Sequence, residues 1–283
     1  MIVFLCLLIH IVCAQTISSP TVTIIAIGDI HADLTAAKRT FHMANVTNEL
    51  GQWNRENVIV VQTGDLTDRG PDGLETLQWI TELEKQAPKY NSSFHVLIGN
   101  HEAMNIIGDW RYVSPDDVAG FGGAAVRKKA FSEDGEWRNW ILQHKAVIEV
   151  EGNVFVHGGV SPTYAKEASL LSAEVVDALR AGQDDPVLRG EGPLWYRGYF
   201  LNDEAIACTE VEQVLRQMKA RRMIMGHTTQ RSGKIISRCE GKIIGIDTGV
   251  SSHYGGNYSA IEIQGDQIYA IYPNKKILLP TGH

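Results

Sequence analysis

Five times along this chain a short run of aliphatic, mostly β-branched residues stops at a side chain able to bind a cation. Asp29 and His31 follow residues 21–27, Asp65 follows 58–62, and Asn100 and His101 follow 94–98. His157 follows 154–156 and His227 follows 222–225. In four of these places a glycine comes immediately before the first polar residue: Gly28, Gly64, Gly99 and Gly226. Glycine permits a tight turn and a close approach of backbone, as a crowded polar site requires. A lone Gly-Asp pair is usually an ordinary turn. Repetition of the same polar ending is what unrelated turns have no reason to produce.

Most of these runs precede a segment whose apolar positions recur at helical spacing. After Pro71, for example, Leu74, Leu77, Ile80 and Leu83 form one face. Further helices are expected over 34–44, 172–181 and 209–219. Such βα alternation predicts an α/β fold. Strand carboxyl ends in open α/β sheets line one crevice, so endings far apart in sequence can converge there. Residues 109–140, mixed in charge and rich in Gly and Trp, read as a helical insertion over the strand ends. Residues 234–272 read as β structure throughout. Together these elements predict two mixed β-sheets packed as a sandwich and flanked by helices, in a single domain over 15–283.

The formal net charge of -7 excludes a polyanion-binding surface built from clustered Lys and Arg, and with it nucleic acid as a partner. Residues 1–12 are apolar but too short to span a bilayer, and Val12-Cys13-Ala14 gives a small-residue cleavage site. A signal peptide over 1–14 is expected, with the mature chain in the secretory pathway or outside the cell and without stable membrane insertion. Sequons at Asn45, Asn91 and Asn257 agree with export. Signal removal leaves Cys208 and Cys239, and both a disulfide and two buried thiols are open readings.

The polar endings offer oxygen and nitrogen donors with no thiolate, a set suited to manganese, iron or zinc. The segments GDIHAD, GDLTDRG, GNHE, HGGV and MGHT resemble the motif series of the calcineurin-like metallophosphoesterases. DRG and HGG resemble the phosphoprotein phosphatase branch, and GPLWYRGYF before MGHTTQ is similar to the Shewanella-like protein phosphatases. The resemblance spans residues 21–272 and implies a metallophosphoesterase fold with two divalent ions, manganese first, iron or zinc as alternatives. It implies that Asp29 and His31 hold the first ion, that Asp65 bridges, and that Asn100, His157 and His227 complete the second site. It further implies a phosphomonoesterase acting on phosphorylated protein or small phosphate esters, with a metal-bridging hydroxide attacking phosphorus.

Within the same resemblance His101 is the general acid and Asp68 orients it, while Arg69 and Arg197 clamp phosphate. The motif series departs at one place, where Ala32 stands at a position usually held by Gly, and slower turnover is the expected consequence. Regulatory subunits leave no trace in the sequence. Two rivals remain: a nucleotide or dinucleoside polyphosphate hydrolase, and an inactive metal-binding interaction module. The absence of a GHxH ending, since Thr228 and Thr229 follow His227, disfavours the first.

Overall fold

The computed structural model describes residues 22–182 and 185–281, so the expected signal segment lies outside the described residues. The amino-terminal half runs β1 (Thr23–Ile27), α1 (Leu34–Met43), β2 (Val58–Gln62), α2 (Gly73–Gln86), β3 (Ser93–Val96) and α3 (Asn100–Ile107). Three short helices follow, α4 (Pro115–Gly120), α5 (Ala124–Ala130) and α6 (Glu136–Ile141). The second half holds β4 (Val147–Val150), β5 (Asn153–Val156), α7 (Leu171–Ala181), α8 (Gly198–Leu201) and α9 (Glu204–Met218). It continues with β6 (Arg222–Met225), β7 (Ile236–Arg238), β8 (Ile243–Gly245), β9 (Ala260–Gln264), β10 (Gln267–Tyr272) and β11 (Lys275–Leu278).

These strands make a six-stranded sheet ordered β11-β10-β9-β1-β2-β3 and a five-stranded sheet ordered β4-β5-β6-β8-β7. Both are mixed, as expected. The parallel part of the first sheet is β1-β2-β3, and that of the second is β5-β6-β8. The surroundings of β1 explain why it is apolar from Ile24 to Ile27. Ile24 and Ala26 belong to the layer between the sheets, whereas Ile25 and Ile27 pack under the helices. Successive side chains of a strand point to opposite faces, so a strand covered on both sides needs no polar position. Each fully buried Ile or Phe of these layers contributes about 1.5–3 kcal/mol.

Three boundaries differ from the sequence expectation for physical reasons. β3 ends at Val96 because, although the Leu97 N–H still bonds to the Gln62 carbonyl of β2 (2.9 Å), Leu97 bridges Lys145 and the Ile98 N–H bonds to the Lys145 carbonyl (3.0 Å). That contact joins the edges of the two sheets, and no local periodicity announces it. The expected all-β stretch is interrupted by single 3-10 turns at Cys239–Gly241 and Ser252–Tyr254. β11 lies beyond it, an exposed edge strand without the apolar alternation that marks a strand in sequence. Cys208 and Cys239 form a disulfide that ties α9 to the turn before β8. Among the described residues no helix is long and apolar enough to cross a membrane.

Candidate active site

Asp65, at the carboxyl end of β2, is the centre of the polar cluster. Its Oδ2 lies 3.3 Å from His157 Nε2, 3.7 Å from His31 Nε2 and 3.8 Å from His101 Nε2. His31, Asp65 and His101 bring ligand-capable atoms within 4.8 Å of one another, and so do Asp65, His157 and His227. The two groups share Asp65. Asn100 Oδ1 is 2.9 Å from His157 Nε2, and Asp29 Oδ2 is 3.8 Å from His31 Nε2. Both Asp29 oxygens accept the His227 backbone N–H at 3.1 Å. All six side chains named as ligands therefore gather from five parallel strand ends.

The local backbone makes this possible. Gly64 has φ +93°, and a Cβ on Gly99 or Gly226 would come within 2.2 Å of Asp65 Oδ1 or 2.3 Å of Asp29 Oδ1. His31, Ala32, Asp65, Asp68, Arg69 and His227 also adopt left-handed φ between 51° and 71°. Each such residue costs about 1–2 kcal/mol, and strain of this kind concentrates where a site dictates the geometry. Main-chain carbonyls then aim three of the rings. His157 Nδ1 donates to Thr63 O (2.8 Å), His31 Nδ1 faces Thr67 O (3.4 Å) and His227 Nε2 donates to Trp195 O (3.2 Å). This turns Nε2 of His31 and of His157 toward Asp65, whereas Nδ1 of His227 faces Arg197 Nη2 at 3.5 Å.

Beside the cluster, His101 Nδ1 bonds to Asp68 Oδ2 at 2.8 Å, so its Nε2 faces the Asp65 side. Burial works against charge on this ring, but the carboxylates of Asp65 and Asp68 outweigh it and raise its pKa. Arg69 stacks on Tyr112, 3.8 Å from guanidinium carbon to ring centroid, with Tyr254 on another side at 5.9 Å. Its Nε is buried with no hydrogen-bond partner. Arg197 sits at the second group, where Nη1 donates to the His227 carbonyl at 2.7 Å. His253, in the neighbouring turn, is exposed.

Several contributors escape a motif reading. The buried Glu102 carboxylate accepts the backbone N–H groups of Asp65, Leu66, Thr67 and Gly99 at 2.8–3.2 Å, which fixes the turn carrying Asp65. Asp247 follows β8, the sixth parallel strand end, and is bonded to Thr229 Oγ1 and Gly249 N. The sequence Gly245-Ile246-Asp247 repeats the strand-glycine-acid ending with one residue inserted, a signal that could have been found. Arg127 and Asn105 surround Asp68, and no sequence pattern singles them out.

Charge in this pocket is poorly balanced by protein alone. Burial, then the neighbouring Asp247, pushes the Asp29 pKa well above its ordinary value. Asp65 is likewise buried, yet His157 and His101 hold its pKa well below the usual carboxylate range. Burial takes His31 down to about 3. Crowded carboxylates beside imidazoles are a donor set that divalent cations fit, since added positive charge relieves the repulsion among Asp29, Asp65 and Asp247.

Comparison with known proteins agrees with this geometry. The calcineurin-like phosphoesterase family matches residues 22–231. Protein C1840.07c of Schizosaccharomyces pombe is 36% identical over 282 residues, covering 93% of this chain and 84% of its own. Shewanella-like protein phosphatase 1 of Plasmodium berghei is 30% identical over 265 residues, covering 88% and 73% respectively. The crystal structure of a cold-active protein-tyrosine phosphatase from a psychrophilic Shewanella superposes with a TM-score of 0.80 at 23% identity, over 92% of this chain and 81% of that one. The strand-end constellation and the family match lead to one assignment: this chain is a member of the calcineurin-like phosphoesterase family.

Proposed function

We propose that the protein is a dinuclear-metal phosphomonoesterase that removes phosphate from phosphorylated protein side chains. The observation that carries this reading is the pair of donor groups sharing Asp65, since a carboxylate has one oxygen for each of two neighbouring ions. Asp29 and His31 would hold one ion and Asn100, His157 and His227 the other, with manganese the first choice and iron or zinc the alternatives. Bound there, two divalent ions supply positive charge for the phosphoryl oxygens and a water acidic enough to attack. Arg69, stacked on Tyr112, would bring its guanidinium to the phosphate. Arg197 approaches from the His227 side. His101, its Nδ1 tied to Asp68, presents Nε2 to give a proton to the leaving oxygen.

The rings of Tyr112 and Tyr254 beside Arg69 frame this approach with aromatic surface, which favours a phenyl phosphate over an alkyl one. Phosphotyrosine is therefore the first side chain to try, ahead of phosphoserine and phosphothreonine. We also propose export, with cleavage after Ala14, because the Cys208–Cys239 disulfide suits an oxidising compartment. Of the three sequons, Asn45 and Asn91 are exposed, whereas Asn257 is half-buried and donates its amide to the Thr248 carbonyl. Peptide mapping of the secreted chain should find glycan on Asn45 or Asn91 and none on Asn257. A glycan on Asn257 would contradict the local packing.

The test is turnover by the chain from Gln15 onward, with added manganese and then with chelator. Substrates would be phosphotyrosine, phosphoserine and phosphothreonine peptides and a dinucleoside tetraphosphate, with Asp65→Asn beside the parent. Chelator-sensitive phosphate release from a peptide, abolished in Asp65→Asn, is the expected result. Cleavage of the dinucleotide alone moves the assignment to polyphosphate hydrolysis. Metal uptake without turnover on any substrate leaves an interaction module.

A further inference from the structure

Arg127 is a cation with no exposed surface, and nothing in the chemistry above uses it. Its guanidinium is enclosed by the rings of Trp110, Phe121 and Phe131 at 5.0, 5.2 and 5.0 Å. Taking such a charge out of water costs several kcal/mol unless its donors are matched. Each of its nitrogens has a partner. Nε donates to Asp117 Oδ2 (2.8 Å), Nη1 to Asn105 Oδ1 (2.6 Å) and Nη2 to Asp68 Oδ1 (3.3 Å). Asn105 closes the ring by donating to the same Asp68 oxygen and to the His101 carbonyl, both at 2.9 Å. Asp68 Oδ1 is thus doubly occupied, and Oδ2 is the oxygen left to His101 Nδ1.

We propose that Arg127, carried by the helices of the 109–140 insertion, is a positioning residue for His101. By holding Oδ1 it stops the Asp68 carboxylate from rotating, so that one oxygen is presented to the imidazole at a fixed angle. The other end of the relay supports this. Asp117, on α4, accepts the Gly73 N–H at 2.9 Å, and Gly73 opens α2 just after Asp68-Arg69-Gly70. The insertion therefore grips the acid-bearing loop from both sides, through Arg127 at Asp68 and through Asp117 at the start of α2. A plain core ion pair would stabilise the fold without setting the His101 ring, and the two roles separate experimentally.

The inference rests on the proposed phosphatase reading for its kinetic readout, and a spectroscopic one stands independently of it. The low-field imidazole N–H resonance of His101 in the full chain is assigned by its loss in His101→Asn, then followed in Arg127→Lys and Arg127→Met. Arg127→Lys keeps the charge and the fold but loses the fork, so the resonance should move while the circular dichroism does not. In Arg127→Lys, kcat/KM for phenyl phosphate, a poor leaving group, should fall about 10- to 100-fold, against about 3-fold or less for p-nitrophenyl phosphate. In a His101→Asn background the same substitution should add no further loss. An unmoved resonance in folded Arg127→Lys, equal losses on both esters, or losses that multiply with His101→Asn would each overturn the proposal. Failure of the parent on both esters would count against the phosphatase reading, and the resonance would still decide the role of Arg127. Should Arg127→Met not fold, Arg127→Lys carries the result.

Discussion

The two sides of the site are held by different parts of the chain. On the side proposed to bind metal, the rings of His31, His157 and His227 are aimed by main-chain carbonyls of Thr67, Thr63 and Trp195. On the acid side, His101 is aimed by side chains: Asp68, then Asn105 and Arg127, then Asp117. A main-chain carbonyl stays in place through almost any substitution of its own side chain. A relay of four side chains fails when one is lost. The first side should therefore be damaged only by removing the donors themselves, and the second by changes one or two contacts away.

The largest effect sharpens that contrast from the metal side. His157 is fully buried, and its Nε2 faces both Asn100 and Asp65. His157→Ala should lower kcat by about 10³-fold or more, because charge stabilisation at the reacting phosphoryl group is the largest contribution to such catalysis. Elemental analysis should show the bound metal falling from two ions per chain toward one. Retention of two ions would show that the second donor group does not depend on this ring.

Glu102 is where the contrast could break, since here a side chain holds the main chain on the metal side. Its carboxylate accepts from four backbone N–H groups around Asp65, and a glutamine would turn an amide N–H₂ toward some of those donors. Hydrogen bonds to a charged group are worth about 1.5–3 kcal/mol each, so Glu102→Gln should cost about 3 kcal/mol in urea unfolding. Metal affinity should fall with it because the turn carrying Asp65 loosens. Stability within about 0.5 kcal/mol of the parent would mean that the left-handed turn holds itself, which the strain of its φ values argues against.

A third test uses protons. Burial disfavours charge on His157, but the carboxylates of Asp65 and Asp29 overcome it and raise the pKa from 6.5 to about 9. A group whose pKa is higher folded than unfolded adds stability that is fully present below its unfolded pKa and is lost as pH climbs through the folded one. In chelated protein this contribution should fade between about pH 6.5 and pH 9, and the denaturant midpoint should decline over that window. Metal binding requires the neutral ring, so manganese affinity should rise over the same window and flatten above it. Affinity independent of pH there would show that the ion does not displace this proton.

The contrast also explains what could be read from sequence. The strand-end donors were legible because each follows an apolar run and most sit beside a glycine, and β1, β2 and β6 fell where the apolar runs place them. Glu102 lay inside a recognised segment, yet its role depends on a turn 35–37 residues away. Arg127 sits in a short helix between a run of small residues and two lysines, where an arginine reads as solvent-facing. Only the fold reveals that three aromatic rings and two carboxylates enclose it. Side-chain relays carry no periodicity, so the acid side was legible only as far as the motif residues themselves.

The smallest effect concerns the one departure from the motif series. Ala32 has φ +52° and is fully buried, with its N–H bonded to the Leu66 carbonyl and its own carbonyl to Asp72 N–H. A left-handed alanine costs about 1–2 kcal/mol, which glycine avoids. Against this, glycine loses about 0.4–1 kcal/mol through the greater freedom of the unfolded chain, and the buried methyl is forfeited as well. These contributions nearly cancel, so Ala32→Gly should change stability by less than about 1 kcal/mol, read as a denaturant midpoint close to that of the parent. Because Ala32 is anchored by main-chain bonds to the Asp65 turn, the backbone that aims His31 already has its required shape, and kcat should change by less than about 2-fold. A larger gain in kcat would mean that the turn is strained away from the catalytic geometry in the native chain. In that case the carbonyl-held side would be the adjustable one, and the contrast between the two sides would have to be reversed.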